Sequence, residues 1–239
     1  MQPRPALLIT GAAKRVGKAI ALHFAQRGYD IALHYQRSEK EAGETAAEIR
    51  ALGVRCELLQ ADLADGAQYA PLVARAYNLF PALSVLVNNA SVFDGGRFME
   101  SDAALFDKEF RLNTQAPIFL TQAFARYVGN GAVVNMLDTK ITRHQHSHFF
   151  YLLSKKTLME FTQMAASELA PNVRVNAVAP GYLLPGGGWG DDYRERLEPN
   201  LPLRKIATLD EVAKAVYSLC ENGSLTGQCL FVDGGEHLL

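Results

Sequence analysis

The chain has 239 residues, 49% of them hydrophobic and 21% charged, with a formal net charge of -1. That length fits one large α/β domain able to bury a full core without staples, and the near-balanced charge indicates no strong polyanion-binding patch, so nucleic acid is not an expected partner. The three cysteines, Cys56, Cys220 and Cys229, form no CxxC pair and read as free thiols of a reducing compartment. The opening Met-Gln-Pro-Arg-Pro runs into an apolar stretch too short for a signal peptide or a membrane span, so a soluble cytoplasmic protein with no membrane partner is expected.

Along the chain, apolar runs of strand length alternate with helical patterns. Strands are predicted near Ala6–Thr10, Asp30–Tyr35, Arg55–Leu59, Ser84–Asn88, Ala132–Leu137, Arg174–Ala179 and Cys229–Val232. Helices are predicted near Val16–Arg27, Glu39–Leu52, Gln68–Leu79, Ala103–Tyr127, Phe149–Leu169 and Leu209–Glu221. The alternation implies βαβ units and a parallel sheet buried on both faces. No interior Pro/Gly/Ser linker is long enough to separate two domains, so residues 1–239 are read as one. Gly181 to Pro202 is the long irregular region; it contains Pro-Gly-Gly-Gly-Trp-Gly, and residues 182–202 are expected to form a substrate lid.

Thr10-Gly11-Ala12-Ala13-Lys14-Arg15-Val16-Gly17 follows the first strand and opens the first helix. Gly11 permits a tight turn, and a helix N-terminus offers N–H groups and a positive dipole end to a pyrophosphate. The second strand ends in His34-Tyr35-Gln36-Arg37-Ser38, where an NAD-preferring site usually places an acid for the ribose hydroxyls. Arg37, Ser38 and Arg15 suit a 2′-phosphate instead, which favours NADPH. Ser38 can equally cap the next helix. After the third strand comes Gln60-Ala61-Asp62-Leu63, where Asp62 either accepts from an adenine amino group or caps a helix. Asn88-Asn89-Ala90 after the fourth strand places small and amide residues along the cofactor cleft.

Tyr151 and Lys155 lie one helical turn apart in Phe-Phe-Tyr-Leu-Leu-Ser-Lys, so their side chains share a face. An ammonium beside a phenol favours the phenolate and is expected to lower the Tyr151 pKa, giving a group that trades protons near neutrality. Asp138 ends the fifth strand. An ionised Asp cannot donate to a carbonyl oxygen gaining negative charge, so it suits a ring nitrogen that must receive a proton better than a ketone. Asp138 can also be a simple capping acid, and Phe93 a simple core residue. His144, His146 and His148 alternate, which in an extended segment would put all three on one side; with no paired carboxylate or thiol set, no metal site is assigned and a solvated or subunit-facing loop is expected.

Thr-Gly-x-x-x-Arg-x-Gly, Asn-Asn-Ala, Asn113, Tyr151-x-x-x-Lys155 and Pro180-Gly181 together resemble the short-chain dehydrogenase/reductase family over essentially the whole chain. The resemblance implies a Rossmann-type fold with strand order 3-2-1-4-5-6-7. It implies that Tyr151 is the acid/base, that Lys155 binds the nicotinamide ribose and lowers the Tyr151 pKa, that Asn113 holds a water in a proton relay, and that Pro180 and Gly181 border the cofactor. Four departures from the common pattern resemble the pteridine reductase branch: Asp138 in place of Ser, Arg15 in place of Gly, His34-Tyr35-Gln36-Arg37-Ser38 at the phosphate site, and Asn88-Asn89-Ala90-Ser91-Val92-Phe93 in place of Asn-Asn-Ala-Gly. That branch implies that Phe93 stacks on a pterin, that Ser91 contacts substrate and cofactor, and that Asp138, Tyr151 and Lys155 deliver a proton while NADPH reduces a C=N bond of a pterin or folate. Leu183, Leu184 and Trp189 are expected to wall the substrate side, with Gly186–Gly188 as a hinge, and Arg15 to fix the pterin edge or the pyrophosphate. Val232-Asp233-Gly234-Gly235 resembles the family's C-terminal signature, and the family's usual assembly implies a homotetramer. A general carbonyl reductase acting on a 3-oxoacyl thioester or a sugar, and a non-catalytic NADP-binding sensor, are the alternatives.

Overall fold

A computed structural model describes residues 3–184 and 191–239. Seven parallel strands form one sheet in the order β3-β2-β1-β4-β5-β6-β7: β1 (Ala6–Ile9), β2 (Asp30–Tyr35), β3 (Cys56–Gln60), β4 (Leu83–Asn88), β5 (Gly131–Met136), β6 (Val173–Pro180) and β7 (Cys229–Val232). The expected strand order is the observed one.

The apolar runs explain the layers. Alternate residues of a strand point to opposite faces, and here both faces are covered. Leu7, Ile9, Val85 and Val87 pack with Ile20 and Phe24 of α1 (Arg15–Ala25), Ala42 and Ile49 of α2 (Glu39–Ala51) and Val212 and Val216 of α8 (Leu209–Glu221). Ala6, Leu8 and Leu86 face the other way, onto Leu72 and Val73 of α3 (Tyr69–Leu79), Leu120 and Phe124 of α5 (Ala116–Tyr127) and Ala165 of α6 (Phe149–Glu168). α8 starts on a capping box, with the Thr208 hydroxyl accepting from Glu211 N–H while the Glu211 carboxylate accepts from Thr208 N–H.

The predicted helix over Ala103–Tyr127 is α4 (Ala103–Phe110), a π-turn at Arg111–Gln115 and then α5. Pro117 supplies the reason. It has no N–H for the carbonyl four residues back, and its ring crowds that carbonyl, which belongs to Asn113. Widening the ladder to a π-turn relieves the clash. The stretch expected to be irregular contains α7 (Asp191–Leu197) and a 3-10 turn at Glu198–Asn200. Gly186–Gly188 and Trp189, read above as hinge and wall, lie outside the described residues. All three cysteines are free thiols. Among the described residues, no helix is long and apolar enough to cross a membrane.

Strand order reverses between β1 and its neighbours β2 and β4. Crevices form at the carboxyl ends of strands where the order reverses. Gly11, Arg37, Asn89, Asp138 and Gly181 follow β1, β2, β4, β5 and β6, so the sheet alone gathers them along one edge.

Candidate active site

Two adjoining cavities occupy that edge. The first, about 430 Å³, runs along the β1 turn and the end of β2 and is lined by Gly11, Lys14, Arg15, Val16, His34, Tyr35, Arg37, Ser38, Leu63, Asn89, Ala90, Ser91 and Val92 among others. The second, about 420 Å³, is lined by Arg15, Val16, Ser91, Phe93, Asp138, Thr139, Lys140, Tyr151, Gly181, Tyr182, Leu183, Leu184 and Tyr193. Arg15, Val16 and Ser91 border both.

The first cavity fits a dinucleotide. Gly11 sits at φ 63°, in the left-handed region, and a Cβ there would meet Ala90 Cα at 3.0 Å. A Cβ on Gly17 would lie 2.4 Å from Gly11 O, so α1 can approach the turn only with Gly at this place. Neither a capping side chain nor an acidic residue occupies the first turn of α1, which leaves its positive end facing the groove. Asn89 Nδ2 donates to Thr10 O at 2.9 Å and Gly11 O at 3.0 Å, tying the β4 end to the turn. Ser38 stands at the N-cap of α2 but makes no side-chain cap bond. Arg37 beside it is exposed, so a guanidinium and a hydroxyl meet the groove at the end of β2. Lys14 pairs with Glu41 at 3.5 Å.

Four residues assigned to the cofactor from sequence are engaged or placed differently, although His34 still lines the first cavity. His34 is buried beneath the turn: Gly11 N–H donates to its Nδ1 at 3.1 Å and its Nε2 lies 3.1 Å from Ala61 O. Both ring nitrogens are thus spent on backbone, the imidazole is neutral, and burial pushes its pKa down to about 4. Asp62 closes a turn, its Oδ1 accepting from Ala64 N–H at 2.9 Å, and the cap of the next helical turn is Asp65, whose Oδ1 accepts from Ala67 N–H at 3.0 Å. Gly181 walls the second cavity rather than the first, while Pro180 ends β6 and lines neither. A Cβ on Gly181 would lie 2.8 Å from Asp233 Cβ, so only Gly lets the chain pass there.

At the second cavity the Tyr151 hydroxyl donates to Asp138 Oδ2 at 2.9 Å, and Lys140 N–H donates to Asp138 Oδ1 at 2.8 Å. Asp138 is therefore both the capping acid of the turn after β5 and the partner of the phenol. Lys155 is buried under Tyr151, its ammonium 5.8 Å from the Tyr151 ring centre and donating to Met136 O at 2.9 Å. This corrects the expected direction of tuning. Burial first, then the Asp138 carboxylate and the more distant Glu109, push the Tyr151 pKa well above its ordinary value, so the phenol keeps its proton. Burial in turn lowers Lys155 to about 8, against the opposing pull of Asp138 and Glu109.

Phe93 meets the Tyr151 ring edge-on at 4.6 Å and stacks on His148 at 4.2 Å. His144 and His146 are exposed while His148 turns inward on that stack, so the three histidines do not share a side. Asn113 sits on the π-turn and its side-chain amide bonds entirely to protein: its Oδ1 accepts from Ser91 Oγ at 2.9 Å and Val92 N–H at 3.0 Å, and its Nδ2 donates to Val92 O at 3.0 Å, Glu109 Oε2 at 2.5 Å and Ser154 Oγ at 3.3 Å. Sequence reasoning missed Tyr182, Tyr193, Lys140 and Glu109. Tyr182 and Lys140 stand next to the Pro-Gly pair and Asp138 and could have been found by adjacency. Tyr193 and Glu109 carry no local signal.

A family model described as Enoyl-(Acyl carrier protein) reductase matches residues 11–237. The chain belongs to the short-chain dehydrogenase/reductase family. It is thus an oxidoreductase of a family that uses a nicotinamide dinucleotide. The crystal structure of FolM alternative dihydrofolate reductase 1 from Brucella canis, complexed with NADP, superposes with a TM-score of 0.92 at 36% identity, covering 98% of this chain and 95% of that one. An uncharacterized oxidoreductase of Mycobacterium tuberculosis is 34% identical over 95% of this chain and 90% of its own length. The 3-oxoacyl-[acyl-carrier-protein] reductase FabG of Staphylococcus epidermidis is 28% identical over 97% of this chain and 98% of its own.

Proposed function

We propose that the protein is an NADPH-dependent pteridine reductase, reducing a C=N bond of a dihydropterin or dihydromonapterin, or of dihydrofolate, to the tetrahydro form. One observation carries the reading: the carboxylate at the end of β5 accepts from Tyr151 beside an aromatic ring that can stack on a flat heterocycle. The likeness to an NADP-bound FolM supports it.

NADPH is the cofactor and supplies hydride to the substrate carbon. The N–H groups at the start of α1 hold its pyrophosphate, and Arg37 and Ser38 hold the 2′-phosphate. Phe93 stacks on one face of the substrate ring and leaves the other open to the nicotinamide, while Leu183 and Leu184 wall the cavity. Tyr151 keeps its proton until a ring nitrogen gains electron density, and then donates it. Asp138 aims the Tyr151 hydroxyl and stabilises the protonated phenol. Lys155, held under the ring by Met136 O, supplies positive charge as the phenolate forms. Asn113 anchors the substrate loop through Val92. Arg15 spans the border of the two cavities and contacts both ligands. The assembly is a homotetramer, which light scattering after gel filtration tests; a monomeric mass would exclude it.

The second reading is a general carbonyl reductase, favoured by the likeness to FabG. Asp138 opposes it, because an acceptor stands where a developing oxyanion needs a donor. NADPH consumption with dihydrobiopterin, dihydromonapterin, dihydrofolate and a 3-oxoacyl thioester in parallel separates the two. Pterin turnover abolished by Tyr151→Phe supports the first reading; turnover of the thioester alone rejects it. NADPH binding without turnover of any substrate would leave a sensor.

A further inference from the structure

Glu109, in the last turn of α4, is fully buried, and no step above uses it. Buried carboxyl groups are rare unless paired. Glu109 Oε1 accepts from Asp94 N–H at 2.8 Å, and Oε2 accepts from the Asn113 amide at 2.5 Å. Asn113 pairs with the backbone of Val92 in both directions, at 3.0 Å each way. The loop from Ser91 to Asp94 therefore hangs on two side chains of one helical stretch. Phe93 lies between the two anchored residues, with its ring against Tyr151.

We infer that Glu109 is a positioning residue for the reduction: it locks Asn113 and the Phe93 loop together so that a flat heteroaromatic substrate is held against Tyr151. The inference rests on the pteridine reductase reading of the site.

The electrostatics make the two anchoring bonds sensitive to pH. Burial raises the Glu109 carboxyl to about 7, with Asp94 adding to the rise and Lys155 and the two N–H bonds opposing it. The charged groups facing it are Asp94 on the loop, Lys108 on its own helix, which pairs with Asp94 at 2.5 Å, and Lys155 with Tyr151 on α6. The folded acid holds its proton up to about pH 7, whereas an ordinary one releases it near 4.5. The folded state thus binds more protons in that window, and stability falls as pH rises through it. Once ionised, Glu109 offers one acceptor oxygen to each of two donors. Gln is the same shape but turns an NH₂ group towards one of them.

The test compares wild type, Glu109→Gln and Glu109→Asp in initial rates with NADPH and dihydrobiopterin between about pH 6 and 8, alongside hydrogen exchange of the Asp94 amide. In Glu109→Gln the pterin KM is expected to rise about tenfold, more than kcat falls. Asp94 exchange is expected to accelerate. In wild type the pterin KM should rise as pH falls through about 7, a limb that Glu109→Gln loses and the charged Glu109→Asp keeps. A folded Glu109→Gln with unchanged pterin KM, pH profile and Asp94 exchange overturns the inference while leaving the pteridine reductase reading intact. If that variant does not fold, a flat wild-type pterin KM across pH 7 overturns it. A wild type inactive on every pterin sinks the reading of the function and the inference with it.

Discussion

Tyr151 donates its hydroxyl proton to Asp138 at 2.9 Å while Lys155, one turn along the same helix, donates to Met136 O. The phenol is thereby paired with an acid rather than with the ammonium, and it rests as a proton donor. Replacing that acid by a hydroxyl puts a donor where the acceptor stood. Asp138→Ser is expected to lower pterin turnover by at least about tenfold and to confer measurable reduction of a 3-oxoacyl thioester, each followed by NADPH absorbance. A variant with wild-type pterin turnover and no new activity would contradict the assignment.

Tyr151→Phe removes the proton without emptying the cavity. Loss of a positioned general acid is worth about 10²–10⁴ in rate. A kcat reduced within that range, with NADPH affinity by fluorescence titration close to wild type, is the expected outcome.

The guanidinium of Arg37 discriminates between cofactors. Arg37→Ala should weaken NADPH binding by about 1.5–3 kcal/mol, the worth of a hydrogen bond to a charged group, and leave NADH nearly unaffected. Parallel titration with both dinucleotides reads the ratio directly. Equal losses for the two would mean that Arg37 does not touch the 2′-phosphate.

Arg15 holds φ 56° without being Gly. Such a conformation costs roughly 1 kcal/mol or more and persists where the surroundings over-determine it. Arg15→Gly is expected to raise Tm by a few degrees. Because Arg15 borders both cavities, the same change should raise the KM of both NADPH and pterin. A Tm gain with unchanged KM values would reduce Arg15 to a backbone feature.

His34 sets an acid limit. The unfolded imidazole takes a proton near its ordinary 6.5 and the folded one only near 4. The unfolded state therefore binds more protons in between, and stability falls as pH drops through that window, by about 3 kcal/mol in all. Urea unfolding midpoints measured from pH 7 downwards should show this loss. His34→Asn should be less stable at pH 7 and show a flatter acid slope; an unchanged slope would assign the loss to other groups.

Local pattern alone determined a good deal of this protein. Runs such as Ala-Leu-Leu-Ile and Asp-Ile-Ala-Leu-His-Tyr, alternating with helical patterns, read as strands buried on both faces, and β2 and β7 fall at the predicted residues. The glycine turn, Arg37 with Ser38, and Tyr151 with Lys155 were legible because their geometry is set by neighbours a few residues away. The π-turn was in principle legible too, since Pro117 announces it, yet the surrounding periodicity masked it. What tertiary structure decided is everything that depends on burial and on contacts distant in sequence. The i,i+4 spacing places Lys155 near Tyr151, but only the fold delivers Met136 O to its ammonium and Asp138 to the phenol, reversing the expected tuning. His34 looked like a ligand for phosphate until packing spent both its nitrogens on backbone. Glu109 carries no local signal in the sequence, and becomes a buried link between Asn113 and the substrate loop only when α4 packs against the site. A pKa is a sum over all surrounding charges and the local dielectric, and a linear sequence specifies neither until it is folded.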